Sequence, residues 1–233
     1  MNAVAELVAL LARGESQLPA SVSEELEVEL NRITVVKPRP VASSKDECSI
    51  PYTKWTGDRF VGFPDQMENQ GKNVHALLVE IAQAEGPIST ESALKMAAKC
   101  YNLSRLSSAR LERLKVLLPK ELTIASKFGS FLFPLTLIDD QGNVSDDYKT
   151  YRTTTAAERK IIEIAPQETA NAIVNIVKKS HSIDRDELAQ ELLTTFGYAR
   201  KTLDTLDEAK NRVTWAIDNN YVTVSGSTVK AAT

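Results

Sequence analysis

Basic side chains near the middle of the chain have the types and spacing that phosphate binding requires. Arg110 and Arg113 are three residues apart, so they share one face of a helix. Guanidinium groups contact phosphates and reach guanine edges in the major groove of DNA. We therefore predict a nucleic-acid-binding surface formed by Arg105, Arg110, Arg113, Lys115 and Lys127.

Two other interpretations of these residues stay open. The same arginines and lysines suit the solvated outer face of an ordinary charged helix. Arg105 recurs 95 residues later as Arg200, so it equally suits a helix cap or an ion pair within the fold.

Charge is unevenly distributed along the chain. The 233 residues have a formal net charge of −3, whereas residues 69–137 carry nine basic and five acidic side chains. Residues 166–233 carry eight basic and nine acidic side chains, and acidic neighbours offset Lys210 and Arg212. A local basic face is the footprint of nucleic-acid binding. We therefore expect substitutions at Lys210 and Arg212 to weaken binding less than substitutions in the first half.

The sequence contains no recognisable pattern of catalytic residues. A G-x-x-x-x-G-K-S/T phosphate loop is absent, and His75 and His181 have no ligand-type neighbours at a repeating spacing. The acidic pairs at 139–140 and 146–147 suggest a two-metal nuclease, but no supporting lysine lies at a nuclease-like spacing from them, which favours a solvated linker. We predict no enzyme activity, metal, cofactor or small-molecule substrate. A nuclease with an unrecognised site is the weakest alternative.

Features of membrane and secreted proteins are also missing from the sequence. No apolar run approaches the roughly 18 residues that a membrane span needs. Cys48 and Cys100 are too few for a disulfide framework. We expect both thiols to be reduced in a cytoplasmic protein with no membrane partner.

Apolar periodicity and turn residues predict the elements that position the basic side chains. Three helices are predicted between residues 72 and 118, and Ser89 is a suitable N-cap for the second. The third is predicted over 105–118, and residues 127–130 form a turn between two short strands. Three helices followed by a hairpin is the layout of a winged helix, whose third helix usually enters the major groove.

The same order of elements returns in the second half of the chain. With a constant offset of 95 residues, Ile88 matches Ile183 and Tyr101 matches Phe196. A fixed offset that keeps aromatic and apolar positions in register predicts two tandem copies of one small domain. A single continuous helical domain is the alternative.

The predicted fold is mainly α with small β hairpins (α+β). It consists of an N-terminal helical and extended arm followed by two tandem winged-helix-like domains. The predicted boundaries are 1–34 for the helical segment, 35–71 for the aromatic-rich arm, 72–137 for the first domain, 138–163 for the linker and 164–233 for the second domain.

Four aromatic residues lie in the arm: Tyr52, Trp55, Phe60 and Phe63. Large aromatic side chains gain about 1.5–3 kcal/mol from full burial. We therefore expect the arm to pack across the first domain. Stacking on the bases of single-stranded nucleic acid is the alternative.

A series of short segments spans residues 70–230. It comprises Leu77-Leu78-Val79-Glu80-Ile81, Glu85-Gly86-Pro87-Ile88, Leu94, Asn102-Leu103-Ser104-Arg105, Phe131-Leu132-Phe133-Pro134, Arg152, Ile164-Ala165-Pro166-Gln167-Glu168 with Ala172-Ile173, and Phe196-Gly197-Tyr198-Ala199-Arg200. This series resembles a domain of unknown function at the C-terminal end of large bacterial superfamily I helicase-like proteins. The resemblance implies an accessory region of a DNA- or RNA-processing ATPase, often joined to a nuclease-like domain. It supplies no catalytic residues.

Together these patterns predict a non-catalytic accessory module that helps a helicase or nuclease partner to engage nucleic acid. DNA is the expected ligand, and double-stranded DNA is favoured. The alternative is a protein–protein interaction module built from tandem winged helices. Salt dependence separates the two hypotheses, because phosphate contacts weaken steeply with salt.

Overall fold

The computed structural model describes residues 48–57 and 59–231, and its architecture is mixed α+β. The predicted segment at 1–34 and the arm up to residue 47 lie outside the described residues. The α-helices of the described part are α1 (Gly71–Glu85), α2 (Thr90–Cys100), α3 (Ser108–Leu114), α4 (Pro166–Ser180), α5 (Arg185–Thr195) and α6 (Leu203–Asp218). The strands are β1 (Ser49–Pro51), β2 (Ile88–Ser89), β3 (Thr123–Ser126), β4 (Gly129–Leu132), β5 (Tyr151–Thr153), β6 (Ser182–Asp184), β7 (Val222–Ser225) and β8 (Thr228–Ala231).

Equivalent helices in the two halves begin with equivalent caps. The Ser89 side chain accepts a hydrogen bond from the Ser92 amide at the start of α2. Asp184, 95 residues later, accepts one from the Asp186 amide at the start of α5. Each cap satisfies an amide that has no partner within its own helix. The predicted cap at Ser89 is confirmed.

Both halves also contain a three-stranded antiparallel sheet with the same strand arrangement. The orders are β2-β4-β3 and β6-β8-β7, so the short strand after the first helix pairs with the last strand of each hairpin. The turns between the hairpin strands contain Gly129 and Gly226, whose positive φ values of 108° and 65° favour glycine. The two predicted hairpins are therefore present.

The third helix differs between the halves. The sequence predicts a helix over 105–118, but α3 covers only Ser108–Leu114 and continues as a 3₁₀ turn over Lys115–Leu117. Its counterpart α6 covers Leu203–Asp218. The prediction for the first half is wrong in length, because Ser107 caps the helix late by accepting a hydrogen bond from the Arg110 amide.

Each half encloses its own apolar core. The first is built on α1 and α2 and includes Leu78, Ile81 and Leu94, and the second is built on α4, α5 and α6. A smaller cluster of Phe131, Phe133, Tyr148 and Ala165 connects the first hairpin with the linker and the start of α4. Burial of apolar surface thus stabilises both halves and the seam between them.

The segment between the halves is structured, not the polar, solvated linker that the sequence indicates. Its strand β5 pairs in parallel with β1, and Ser49 lies opposite Tyr151. Tyr148, Tyr151 and Arg152 are all buried. The polar composition of this segment does not indicate burial. The burial is possible because its polar groups have hydrogen-bond partners elsewhere in the fold.

The arm packs on the first half only in part. Trp55 is buried in the first core, as predicted, and Tyr52 is half-buried. Phe60 and Phe63 remain 65% and 60% exposed, so the predicted burial of these two rings is wrong.

Candidate nucleic-acid interface

The structure brings the two predicted arginines of α3 together on one acidic partner. Glu68 of the arm lies 3.1 Å from Arg110 Nε, and its carboxylate accepts hydrogen bonds from Arg113 Nε and Nη2 at 3.1 and 3.2 Å. Arg110 also donates to the carbonyl oxygen of Pro64. The hydrogen bond to Glu68 raises the pKa of Arg113, and the same contact lowers the pKa of Glu68. The arm therefore offsets part of the positive charge of α3.

Lys115 and Lys127 make separate contacts. Lys115 Nζ lies 2.6 Å from Glu112 Oε1, so its charge is also paired. Lys127, in the β3–β4 turn, lies over the Phe128 ring with its Nζ 5.2 Å from the centroid. Within residues 48–57 and 59–231, no hydrogen bond or ion pair joins Lys127 to α3.

The turn of the first hairpin contacts the second half of the chain. Arg212 of α6 lies over the Phe128 ring, 3.8 Å from its centroid, and Trp215 packs edge-on at 6.5 Å. Cation–π contacts of this kind are worth about 0.5–2 kcal/mol. The hairpin turn is therefore engaged within the fold and does not stand free as a wing.

Arg105 lies in a different place, on the rim of a cleft of about 480 Å³. Lys54, Lys95 and Lys99 line the same cleft, and all four of these cationic side chains are exposed. Lys95 pairs with Glu91 at 2.6 Å. The side chains of the other three form no hydrogen bond or ion pair with any residue that the structure describes. Their charges are therefore open to an external anion.

Helix α2 positions two of these lysines. Lys95 and Lys99 are four residues apart and share the outer face of α2 with Ser92 and Met96. Apolar side chains from α2 and the following loop, including Leu103 and Leu106, complete the wall. An apolar wall with cations at its rim suits a ligand that combines apolar and anionic groups.

Sequence reasoning missed Lys54, Lys95 and Lys99. The four-residue spacing of Lys95 and Lys99, opposite the buried Ala93, Leu94 and Ala97, was the available signal. Lys54 had no local signal, because it joins the cleft only through the path of the arm.

Acidic groups also line the cleft. Glu158 is exposed, whereas Glu163 accepts a hydrogen bond from the Lys160 amide at 3.1 Å. The buried carboxylate of Glu85 is occupied by the Tyr52 hydroxyl and by the Trp55 amide at 2.8 Å. Burial and the Glu85 carboxylate raise the pKa of Tyr52, so its hydroxyl remains protonated at neutral pH.

A buried ion-pair network adjoins the cleft through Arg159, which is one of the lining residues. Glu168 of α4 is fully buried and accepts hydrogen bonds from Arg152 and Arg159 at 2.6–3.1 Å. Burial alone would raise the pKa of Glu168, but the two guanidinium groups lower it to about 2. The Glu168 carboxyl group is therefore ionised at neutral pH although it is buried.

Arg152 also connects the two halves of the chain. It donates to the carbonyl oxygens of Glu85 and of Pro87, the latter at 2.6 Å, at the end of α1. Arg159 donates to the Arg152 carbonyl at 2.8 Å and stacks 4.5 Å from the Tyr52 ring centroid. Both guanidinium groups thus bind acceptors within the protein, so the network connects parts of the fold and leaves the rim cations as the open charges.

The second half presents a different face. Arg212 is fully buried, where it donates to the carbonyl oxygens of Ile164 and Ile161 at 3.0 and 3.3 Å and to Glu208 at 3.1 Å. Arg212 is therefore a core residue and does not present its charge at the surface. Lys210 pairs with Asp186 at 3.0 Å.

Comparison with known proteins gives no relative. No protein-family model, curated protein or solved structure matches the chain. Among residues 48–57 and 59–231, no helix is long and apolar enough to cross a bilayer. The same residues contain no cluster of three or more His, Cys, Asp or Glu side chains placed to hold a metal ion.

Proposed function

We propose that the chain is a non-catalytic nucleic-acid-binding accessory module composed of two tandem winged-helix-like domains. The order of helices, the paired sheets and the two hairpins support the winged-helix assignment. The resemblance to helicase-associated domains supports DNA as the ligand and a helicase or nuclease as the partner.

One observation carries the binding proposal. Lys54, Lys99 and Arg105 surround one cleft, and each is exposed without an ion-pair partner in the described part of the chain. Unpaired cations that converge on one surface attract the phosphate backbone and release its counterions on binding. The interface therefore includes the predicted Arg105 and shifts from α3 to the outer face of α2.

The experiment is fluorescence anisotropy with labelled DNA at about 50 mM and about 200 mM salt. The double substitution Lys99→Ala/Arg105→Ala removes two rim cations. It should flatten the slope of log affinity against log salt by roughly 0.7–0.9 for each phosphate that the variant no longer binds. The matched control is Arg200→Ala/Lys210→Ala. Arg200 is the counterpart of Arg105, and Arg200 and Lys210 are both exposed.

Two results would contradict the proposal. Equal reductions of affinity in the two double variants would remove the assignment to the cleft. Absence of binding by the unsubstituted protein at the lower salt concentration would remove nucleic-acid binding altogether.

A second candidate function is protein docking through the second domain. Leu203, at the start of α6, is 80% exposed beside the exposed acidic residues Asp204 and Asp207. An exposed apolar side chain in an acidic setting suits a protein partner and repels phosphate. Leu203→Asp should then abolish association with a helicase partner in a pull-down while DNA binding is retained.

A further inference from the structure

Two exposed aromatic rings form a pair on the arm. Phe60 and Phe63 are 65% and 60% exposed, and their rings meet edge to face with centroids 5.3 Å apart. Edge-to-face packing is a favourable aromatic geometry. The pair therefore keeps one internal contact and leaves most of its ring surface in water.

Backbone contacts hold this pair in place. The Val61 amide donates to the Cys100 carbonyl at 2.8 Å, and the Phe63 amide donates to the Gln66 side chain at 2.9 Å. Gly62 approaches the Tyr101 ring so closely that a Cβ would lie 3.0 Å from it. The rings are thus presented on an ordered backbone, which lowers the entropic cost of binding a ligand.

Three exposed cationic side chains lie near the pair, two of them in ion pairs. The bond from Val61 to Cys100 places the pair beside the C-terminal end of α2, where Lys99 lies without an ion-pair partner among the described residues. Arg59 adjoins Phe60 in an exposed pair with Glu80 at 2.6 Å, and Arg113 is 59% exposed. Exposed ion pairs of this kind are weak and exchange readily with a phosphate.

Rings flanked by cations suit single strands better than duplexes. Unpaired bases offer π faces for stacking, whereas a duplex buries those faces within its own stack. The turn that would serve as the wing on a duplex is engaged within the fold, since Phe128 packs against Arg212 and Trp215 of α6.

We propose that Phe60 and Phe63 form a stacking platform for the bases of a single-stranded nucleic acid, with phosphates on Lys99 and Arg105. This inference rests on the proposed function and specifies its ligand. The platform recognises the ligand by its unpaired bases and does not distinguish one base sequence from another.

The test compares labelled oligothymidylate with a labelled blunt duplex, for the unsubstituted protein and for Phe60→Ala/Phe63→Ala. We expect the double substitution to weaken oligothymidylate binding about 5- to 150-fold, the range that loss of stacking on one base produces. Duplex affinity should not change. Both rings are exposed, so the urea midpoint of the variant should match that of the parent, which separates this effect from misfolding. A parallel oligouridylate titration distinguishes DNA from RNA as the source of the strand.

A second variant reports stacking directly. Phe60→Trp keeps an aromatic ring, so oligothymidylate affinity should be retained, and base stacking should quench the fluorescence of the new indole. The parent protein, which contains Trp55 and Trp215, supplies the background signal.

The outcomes separate this inference from the proposed function. Duplex binding that exceeds oligothymidylate binding and is unaffected by the alanine substitutions would overturn the single-strand platform and leave nucleic-acid binding intact. Failure of the unsubstituted protein to bind either ligand at low salt would overturn both. Self-association in sedimentation that the alanine substitutions abolish, without oligonucleotide binding, would assign the rings to a protein contact and overturn the inference.

Discussion

Two carboxylates in this protein each bind two arginines, one at the surface and one in the interior. Glu68 is 34% exposed and contacts Arg110 and Arg113. Glu168 is fully buried and contacts Arg152 and Arg159. Each carboxylate has two arginine partners. The two sites therefore differ chiefly in their access to water.

That difference decides what each cluster does. In the buried cluster the guanidinium groups also donate to backbone carbonyl oxygens, so the buried charges keep hydrogen-bond partners where water is excluded. The exposed cluster has two arginines for one carboxylate, and water solvates the surplus charge. The buried cluster therefore connects parts of the fold, whereas the exposed cluster keeps a charge available to a ligand.

The largest expected effect comes from neutralising the buried carboxylate. Glu168→Gln leaves two buried guanidinium groups without their counter-charge and should lower the free energy of unfolding by about 3–5 kcal/mol. Urea denaturation measures this change. Glu158→Gln is the control, because Glu158 is exposed, and it should leave the midpoint unchanged. A decrease below about 1 kcal/mol for Glu168→Gln would mean that the buried cluster does not stabilise the fold.

A pH series sharpens the same comparison with a smaller effect. Folding lowers the pKa of Glu168 from 4.5 to about 2, which corresponds to stabilisation on the order of 3 kcal/mol. Because the folded pKa is depressed, this stabilisation is present above pH 4.5 and is lost as the pH falls toward 2. The stability difference between the parent and Glu168→Gln should therefore shrink across that interval. A constant difference from pH 7 to pH 2.5 would contradict the assignment to Glu168.

The smallest effect on stability is expected at the exposed carboxylate. Glu68→Gln should leave the urea midpoint unchanged, because exposed ion pairs contribute little. It should release Arg110 and Arg113 and steepen the salt dependence of oligonucleotide binding by roughly 0.7 for each arginine that reaches a phosphate of a single strand. Anisotropy titration measures the slope. An unchanged slope would exclude both arginines from the interface.

Local sequence signals predicted the elements of this fold well. Ser89 caps α2 as expected, and the glycines of the two hairpin turns are where the sequence indicates them. Such features depend on residues a few positions apart. The extent of α3 was missed, because its late start at Ser107 depends on a cap that competes with continued helical periodicity.

Long-range partners were not predictable from the same signals. Arg152 lies in a polar stretch, yet its guanidinium group reaches the carbonyl oxygens of Glu85 and Pro87, more than sixty positions away in the chain. Glu68 likewise meets α3 only after the arm folds back. The chemistry of the predicted surface cations was therefore visible in the sequence, whereas their neutralisation was not.

The parallel pairing of β1 with β5 sets an order of events during synthesis. Ser49 pairs with Tyr151, about 100 residues later in the chain, and translation adds about 5–20 residues per second. Strand β1 therefore waits on the order of 5–20 s for its partner to be made. The first half of the chain can fold during this interval, but β1 finds its partner only when the segment that contains β5 emerges from the ribosome. Because this strand pair joins distant parts of the chain, its formation is a late step of folding during synthesis.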